Sequence, residues 1–85
     1  MAWTILVAKA AQKQLAGFPA SDRNRIGAAL LSLSVDPFSG DIVKLEGVRN
    51  RWRRRVGNYR IFFAVDAAAR TVAVSAIVRR TSTTY

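Results

Sequence analysis

The chain has 85 residues, 51% of them hydrophobic, which suffices for one small domain over residues 1–85 but not for a second core. Fourteen Lys and Arg against five Asp and Glu give a formal charge of +9, which predicts a polyanionic partner such as nucleic acid, with a membrane surface as the lesser alternative. Cysteine and histidine are absent, which excludes disulfides and the commonest metal ligands. No apolar run approaches the roughly twenty residues of a membrane-spanning helix. We therefore expect a cytoplasmic protein that binds no membrane, metal or cofactor.

The first half of the chain predicts one strand and two helices. Residues 3–7, WTILV, are β-branched and aromatic, which favours a buried strand. Residues 8–18 carry apolar side chains at helical spacing and predict a short amphipathic helix. Ser21 is a favourable N-cap and Asp22 suits the positive end of a helix dipole, so a second helix is expected over about residues 22–34. The two helices should pack across a sheet.

A long connection leads from the helices to the most basic part of the chain. Residues 38–50 contain two glycines and four charged residues, and residues 42–45 are the one part that could form a short strand. The stretch that follows, RNRWRRRVGNYRIFFAV at residues 49–65, carries a Gly57-Asn58 pair between two runs rich in aromatic and β-branched residues. This pattern is typical of a β-hairpin with a two-residue loop.

The two-residue loop fixes which side chains share a face of the hairpin. If Val56 and Tyr59 flank the loop, then Arg55 lies opposite Arg60 and Arg53 opposite Phe62. One face then carries Arg51, Arg53, Arg55, Arg60 and Phe62, and the other carries Trp52, Arg54, Val56, Tyr59, Ile61, Phe63 and Val65. Only the second face can join a core. Like charges opposite each other repel, so the first face indicates an anionic ligand.

The last predicted strand covers TVAVSAIVR at residues 71–79. Strict alternation places Val72, Val74, Ala76 and Val78 on one side. Packing this side on the core puts Arg79 on the same face as Arg53, Arg55 and Arg60. Arg54 falls on the core side, where its stem must run over apolar neighbours and its head group reach the rim.

These segments together resemble a known family. The resemblance is carried by KLEG at residues 44–47, WRRRVGNYRIFF at 52–63 and VRR at 78–80, and it covers nearly the whole chain. The chain is similar to the RelE/ParE superfamily of toxin–antitoxin toxins, and to its RelE-like branch in particular. The resemblance implies an α+β RelE-like fold, in which an N-terminal strand and a two-helix hairpin pack on a mostly antiparallel sheet completed by a C-terminal three-stranded meander.

The resemblance also implies a function and a site. Members of the RelE branch are described as ribosome-dependent endoribonucleases that cut messenger RNA in the A site of the 30S subunit, and an antitoxin neutralises them. The basic charge of this chain predicts that its antitoxin is acidic, and we expect the two to form a hetero-oligomer. The residues that match the catalytic positions of the family are Arg53, Arg55, Arg60, Arg79 and Tyr85. The residues expected to contact RNA beside them are Arg51, Phe62, Arg80 and Lys44.

The sequence departs from the family pattern at two kinds of position. Val78 stands where several members have histidine, and arginines replace the lysines of the RelE pattern. Because a guanidinium stays protonated at ordinary pH, Arg53 and Arg55 can bind phosphate but are poor general bases, which leaves Tyr85 as the candidate. Two alternatives remain open at this point: a ParE-like inhibitor of DNA gyrase, and a basic RNA-binding domain without catalytic activity.

Overall fold

A computed structural model describes residues 3–47 and 49–80 of the chain. The elements in chain order are β1 (Thr4–Val7), α1 (Lys9–Ala16), α2 (Ala20–Val35), β2 (Ile42–Lys44), β3 (Arg51–Val56), β4 (Tyr59–Asp66) and β5 (Thr71–Arg79). The strands form one sheet in the order β1-β5-β4-β3-β2, with β1 parallel to β5 and the other neighbours antiparallel. The predicted α+β architecture is confirmed, including the short strand within residues 42–45 and the C-terminal meander.

The core lies between the two helices and one face of the sheet. Its largest fully buried side chains come from both layers: Phe63, Ile61 and Ile77 from the sheet, and Ile26 and Leu33 from α2. The helices therefore cover one face of the sheet, called here the helix side. The opposite face, called here the outer face, has no layer packed on it among the described residues.

The second helix begins earlier than the sequence pattern predicts. Pro19 occupies the N-cap position and makes no side-chain capping bond, and the backbone N–H of Arg23 donates to the Pro19 carbonyl at 2.9 Å. The prediction that Ser21 is the N-cap was therefore wrong. The ring of Pro19 fixes its φ, and the helix starts directly after this proline. Asp22 lies in the first turn, as predicted for an acidic residue at the positive end of the helix dipole.

The central hairpin has the predicted register. Val56 pairs with Tyr59, Arg55 with Arg60 and Arg53 with Phe62. Gly57 has a φ of +57°, which the first loop position of a type II′ turn requires and which glycine adopts without a steric penalty. The turn therefore sets the register, and the register sets the two faces of the hairpin.

The last strand contains a bulge that strict alternation could not show. Phe62 pairs with Ala76 and Phe63 pairs with Val74, so Ser75 is an extra residue in β5. Before the bulge Val72 and Val74 are buried, and after it Ile77 is buried. The prediction that Ala76 and Val78 join the valine face was therefore wrong, because the extra residue moves every later side chain to the opposite face.

Within the part of the chain that the structure describes, no helix is long and apolar enough to cross a membrane.

Candidate nucleic-acid interface

The outer face of the sheet gathers a set of arginines at the hairpin. Arg51, Arg53 and Arg55 project from alternate positions of β3, and Arg60 projects from β4 opposite Arg55. Side chains of directly opposed residues lie about 4.5 to 5.5 Å apart at their Cβ atoms, so Arg55 and Arg60 are close neighbours. Together with Arg80 these residues form what we call the arginine face: Arg51, Arg53, Arg55, Arg60 and Arg80.

Arg60 lies at the electrostatic centre of the arginine face. Partial burial lowers the pKa of its guanidinium, and the positive charges of Arg53, Arg80 and Arg55 lower it further. Even so, a guanidinium remains protonated at ordinary pH. The cluster therefore keeps its charge and is destabilised by it, and a bound phosphate would relieve that repulsion.

The bulge in β5 places Arg79 on the helix side and leaves Arg80 near the outer arginines. Arg79 pairs with Tyr59, a core residue that is only 4% exposed, so Arg79 lies on the helix side. The prediction that Arg79 shares a face with Arg53, Arg55 and Arg60 was wrong, because Ser75 shifts the alternation by one residue. Arg80, whose backbone N–H donates to the Asn58 carbonyl at 2.5 Å, lies close enough to Arg60 to affect its pKa.

Two other basic residues also lie away from the arginine face. Lys44 pairs with Trp52, which packs against the core, so Lys44 lies on the helix side at the edge strand and not beside the predicted RNA contacts. Arg54 is half-buried beneath the sheet, and its Nη1 donates to the Ala29 carbonyl at 3.3 Å. Its Nε is buried with no hydrogen-bond partner among the described residues. The stem of Arg54 thus runs inward as predicted, but its head group contacts α2.

The remaining predicted site residues divide between the arginine face and the end of the chain. Phe62 is half-buried on the outer face, opposite Arg53 on one side and Ala76 on the other. Arg51 lies at the far end of β3, opposite Ala64. Tyr85, the predicted general base, lies outside the described residues.

The outer face continues beyond Arg51 as an apolar groove of about 300 Å³. Its lining includes Leu6, Ala64 and Ala73, together with Arg51. Leu6 is 56% exposed, and Val43 and Val78 on the same face are also exposed. The outer face therefore carries exposed apolar side chains beside the arginine face. Among the described residues, no group of three or more acidic side chains is arranged to hold a metal ion.

Comparison with known proteins identifies the family. A family model described as the ParE toxin of the type II toxin-antitoxin system parDE matches residues 5–83. The chain belongs to the ParE toxin family. The expected membership of the RelE/ParE superfamily is therefore confirmed, and the chain is a toxin of a type II toxin–antitoxin system. No curated protein sequence matches the chain.

Solved structures of related toxins share this chain's fold over most of their length. The RelE chain of the archaeal RelE-RelB complex from Pyrococcus horikoshii is 23% identical, with a TM-score of 0.84 over 98% of this chain and 100% of that one. The RelB-RelE antitoxin-toxin complex from Methanococcus jannaschii matches with 30% identity and a TM-score of 0.73 over 87% of this chain and 88% of that one. The YoeB/ParE toxin from Agrobacterium tumefaciens is 15% identical, with a TM-score of 0.77 over 92% and 99%.

One sequence signal could have located Arg80 on the arginine face. Strict alternation from Val72 assigns Ile77 to the solvent-exposed face, although isoleucine is among the residues most often fully buried. The small residues Ser75 and Ala76 immediately before it mark where an extra residue fits most easily. Reading the alternation afresh from Ile77 would have paired Arg80, not Arg79, with the outer face.

Proposed function

We propose that this toxin is a ribosome-dependent, metal-independent endoribonuclease that cleaves messenger RNA in the A site and so inhibits translation. The observation that carries the proposal is the placement of Arg55 directly opposite Arg60 on the outer face of the sheet, with Arg53 and Arg80 close by. Such a cluster is unfavourable for an isolated protein and favourable for one that binds a phosphate whose charge increases during reaction.

In the proposed reaction the RNA supplies its own nucleophile. The 2′-hydroxyl of a messenger nucleotide loses its proton and attacks the adjacent 3′-phosphate, forming the O2′–P bond. The P–O5′ bond breaks, and the departing O5′ takes up a proton, so the products carry a 2′,3′-cyclic phosphate and a free 5′-hydroxyl. Arg55, Arg60 and Arg80 hold the phosphate and stabilise the charge that develops on its non-bridging oxygens.

In this proposal each residue of the arginine face has its own role. Arg53, Arg55 and Arg60 act on the phosphate, and Arg80 takes the position for which the sequence pattern favoured Arg79. Arg51 and Phe62 contact the flanking RNA, Arg51 through a neighbouring phosphate and Phe62 by stacking on a base. Lys44, on the helix side, has no role at this phosphate.

Proton transfer requires a group other than arginine. A guanidinium cannot accept the 2′-hydroxyl proton at ordinary pH, so we propose Tyr85 as the general base. If Tyr85 reaches the reacting phosphate, the positive charge of the arginine face would favour its phenolate form. The ribosome would hold the messenger in the in-line geometry, which explains why the protein itself carries so few acid–base groups.

The proposed partner in the resting cell is an acidic antitoxin. The P. horikoshii and M. jannaschii structures are complexes of a RelE toxin with a RelB antitoxin. The outer face here combines five arginines with exposed Leu6, Val43 and Val78, which suits a segment that is acidic along one side and apolar along the other. We propose that such a segment covers the arginine face in a hetero-oligomer in the cytoplasm.

Inhibition of DNA gyrase is the second candidate function. It is favoured by the matched family model, which is described as a ParE toxin, because the ParE branch of the superfamily is the one associated with gyrase inhibition by protein contact. An arginine face can also bind the gyrase–DNA complex without any chemical step, because phosphate contacts need only charge. A non-catalytic RNA-binding domain is the third, and it would bind messenger without cutting it.

Purified toxin added to programmed ribosomes separates these functions. Primer extension then maps the 5′ ends of the messenger, and a supercoiling assay with gyrase runs in parallel. The nuclease proposal expects discrete cuts within the A-site codon. To test metal independence, the ribosomes are first cross-linked and a chelator then removes divalent metal, and the same cuts should still appear. Intact messenger together with inhibited supercoiling would assign the toxin to gyrase.

A further inference from the structure

A second cluster of polar side chains lies on the helix side of the hairpin end. The Tyr59 hydroxyl donates to Asp22 Oδ2 at 2.7 Å, and the Tyr59 ring packs against Phe18 with 4.5 Å between ring centroids. This hydrogen bond joins the first turn of α2 to the start of β4. It also occupies one carboxylate oxygen of Asp22.

Two exposed arginines flank this Tyr59–Asp22 pair. Arg79 lies opposite Tyr59 on β5, and Arg25 reaches from α2 to the hairpin loop. A Cβ at Gly57 would lie 2.7 Å from Arg25 Nη2, so the Arg25 guanidinium lies directly against the loop backbone. Both guanidiniums are close enough to Tyr59 to lower the pKa of its hydroxyl, against the larger raising effect of Asp22. The cluster thus holds two guanidiniums and one carboxylate.

The hairpin end is therefore basic on both sides of a single sheet. Tyr59 and Arg60 are consecutive in β4, so their side chains point to opposite faces. Arg55 and Arg60 lie on the outer face, while Arg25 and Arg79 lie on the helix side. One phosphate cannot contact both pairs, because the backbone of β3, β4 and β5 lies between them.

The chemistry of the helix-side pair favours a nucleic-acid backbone over a protein. The large exposed apolar side chains among the described residues are Leu6, Leu31, Val35, Phe38, Val43 and Val78. None belongs to this cluster: Val78 is on the outer face, and Leu31 and Val35 are in the opposite half of α2. A protein segment would find no apolar anchor here, whereas phosphates need only the positive charge.

We propose that the hairpin end is held between two separate RNA backbones. The outer face takes the strand that is cut, and Arg25 with Arg79 binds phosphates of a second, structured RNA segment on the helix side. We take this second segment to be ribosomal RNA, and in this respect the inference rests on the proposed function. Gly57 is part of this site, because the absence of a side chain lets Arg25 lie over the loop.

The test compares paired charge-removing variants of the full chain in binding to programmed ribosomes. Arg25→Gln with Arg79→Gln removes the proposed site, and Lys9→Gln with Lys13→Gln removes the same charge from the exposed side of α1. Affinity is measured over a range of salt concentrations. Losing two phosphate contacts should make the slope of log K against log salt shallower by about 1.4 to 1.8, with a smaller change for the lysine control.

A single-turnover cleavage assay provides the second readout. For Arg25→Gln with Arg79→Gln, the rate lost at low ribosome concentration should return as the ribosome concentration rises. Arg25→Lys with Arg79→Lys keeps the charge and should restore most of the salt slope, which separates a binding defect from a folding defect. Thermal unfolding of each variant provides a direct check that it is folded.

Three results would overturn the inference. The first is that the arginine variant shows the same salt slope as the lysine control. The second is that its cleavage rate stays low at saturating ribosomes, as expected for a residue of the cleavage site. The third is that its defect appears only in binding a purified acidic antitoxin. If the wild-type toxin binds ribosomes but cuts nothing, the proposed nuclease function fails. The salt slopes would still decide whether the helix-side pair binds RNA.

Discussion

Tyr59 and Arg79 lie directly opposite each other on β4 and β5, and this pairing determines which arginines can reach the same phosphate. Because Tyr59 belongs to the core, its partner Arg79 lies beside α2 and not among the outer arginines. The next residue, Arg80, lies near Arg60 instead. The single extra residue Ser75 thus separates two adjacent arginines into two different sites.

The first prediction distinguishes these two arginines. Arg80→Ala should lower the single-turnover rate of messenger cleavage by about a hundredfold to a thousandfold, the usual effect of removing one group that stabilises developing charge. Arg79→Ala should mainly weaken ribosome binding, so that more ribosomes recover the rate. The rates are measured at saturating ribosomes. The reverse order of effects would show that β5 has no bulge in the active complex.

The second prediction concerns the space that Arg54 occupies beside Gly40. A Cβ at Gly40 would lie 2.7 Å from Arg54 Cζ, whereas a Cβ at Gly47 meets nothing within 4 Å. Both glycines have positive φ, so alanine at either position should cost about 1 to 3 kcal/mol of folding free energy. Gly40→Ala should cost about 0.5 to 1.5 kcal/mol more than Gly47→Ala, because the half-buried Arg54 side chain must leave its rotamer. Denaturant unfolding measures both, and equal costs would mean that Arg54 is free to move.

The third prediction is a pH dependence of stability that arises at Tyr59. The hydrogen bond to Asp22 raises the pKa of the Tyr59 hydroxyl above its ordinary value, and burial raises it further. A group whose pKa is raised by folding stabilises the protein below its unfolded pKa, about 10 for tyrosine, and loses that contribution as the pH rises through the folded value. Stability should therefore fall above about pH 10 more steeply in the wild type than in Tyr59→Phe.

Melting temperatures recorded between neutral and strongly alkaline pH test this dependence. Tyr59→Phe should melt below the wild type at neutral pH, because the Asp22 carboxylate loses its donor, and the two should converge at high pH. Phe18→Leu serves as the control, since it alters packing on the same ring without removing the hydroxyl. Parallel curves for wild type and Tyr59→Phe would contradict the assignment.

The fourth prediction uses a position directly opposite Arg60. Val78 pairs with Arg60 on the outer face and is exposed. Val78→Glu places a carboxylate within reach of that guanidinium, and it should raise the melting temperature while lowering messenger cleavage, because the glutamate competes with phosphate. Val78→Gln matches it in shape without charge and should change neither property as much. If the two substitutions change stability and cleavage equally, the charge of the glutamate is not the cause of either change.

The sequence predicted those parts of the fold and site that local interactions determine. The Gly57-Asn58 pair is sufficient to set the register of β3 on β4, and with it the shared face of Arg53, Arg55 and Arg60. The individual strands and helices followed from the spacing of apolar residues, which reports burial directly. Their α+β arrangement was implied by the resemblance to the RelE/ParE superfamily.

The parts that sequence reasoning missed depend on residues far apart in the chain. The bulge at Ser75 is a property of how β5 fits β4, so alternation within β5 alone placed Arg79 wrongly. The contact of Arg25 with the hairpin loop depends on the angle at which α2 crosses the sheet. No local pattern around Arg25 distinguishes it from a solvated charge.

The rate of messenger cleavage by Arg60→Ala tests the central claim most directly. Arg60 should contact the reacting phosphate, so single-turnover cleavage on saturating programmed ribosomes should fall by about a hundredfold to a thousandfold, while ribosome binding weakens far less. Lys13→Ala, which removes one charge from α1, should cleave at the wild-type rate. If Arg60→Ala also cleaves at the wild-type rate at saturation, the arginine face only binds RNA and the proposed catalytic role is wrong.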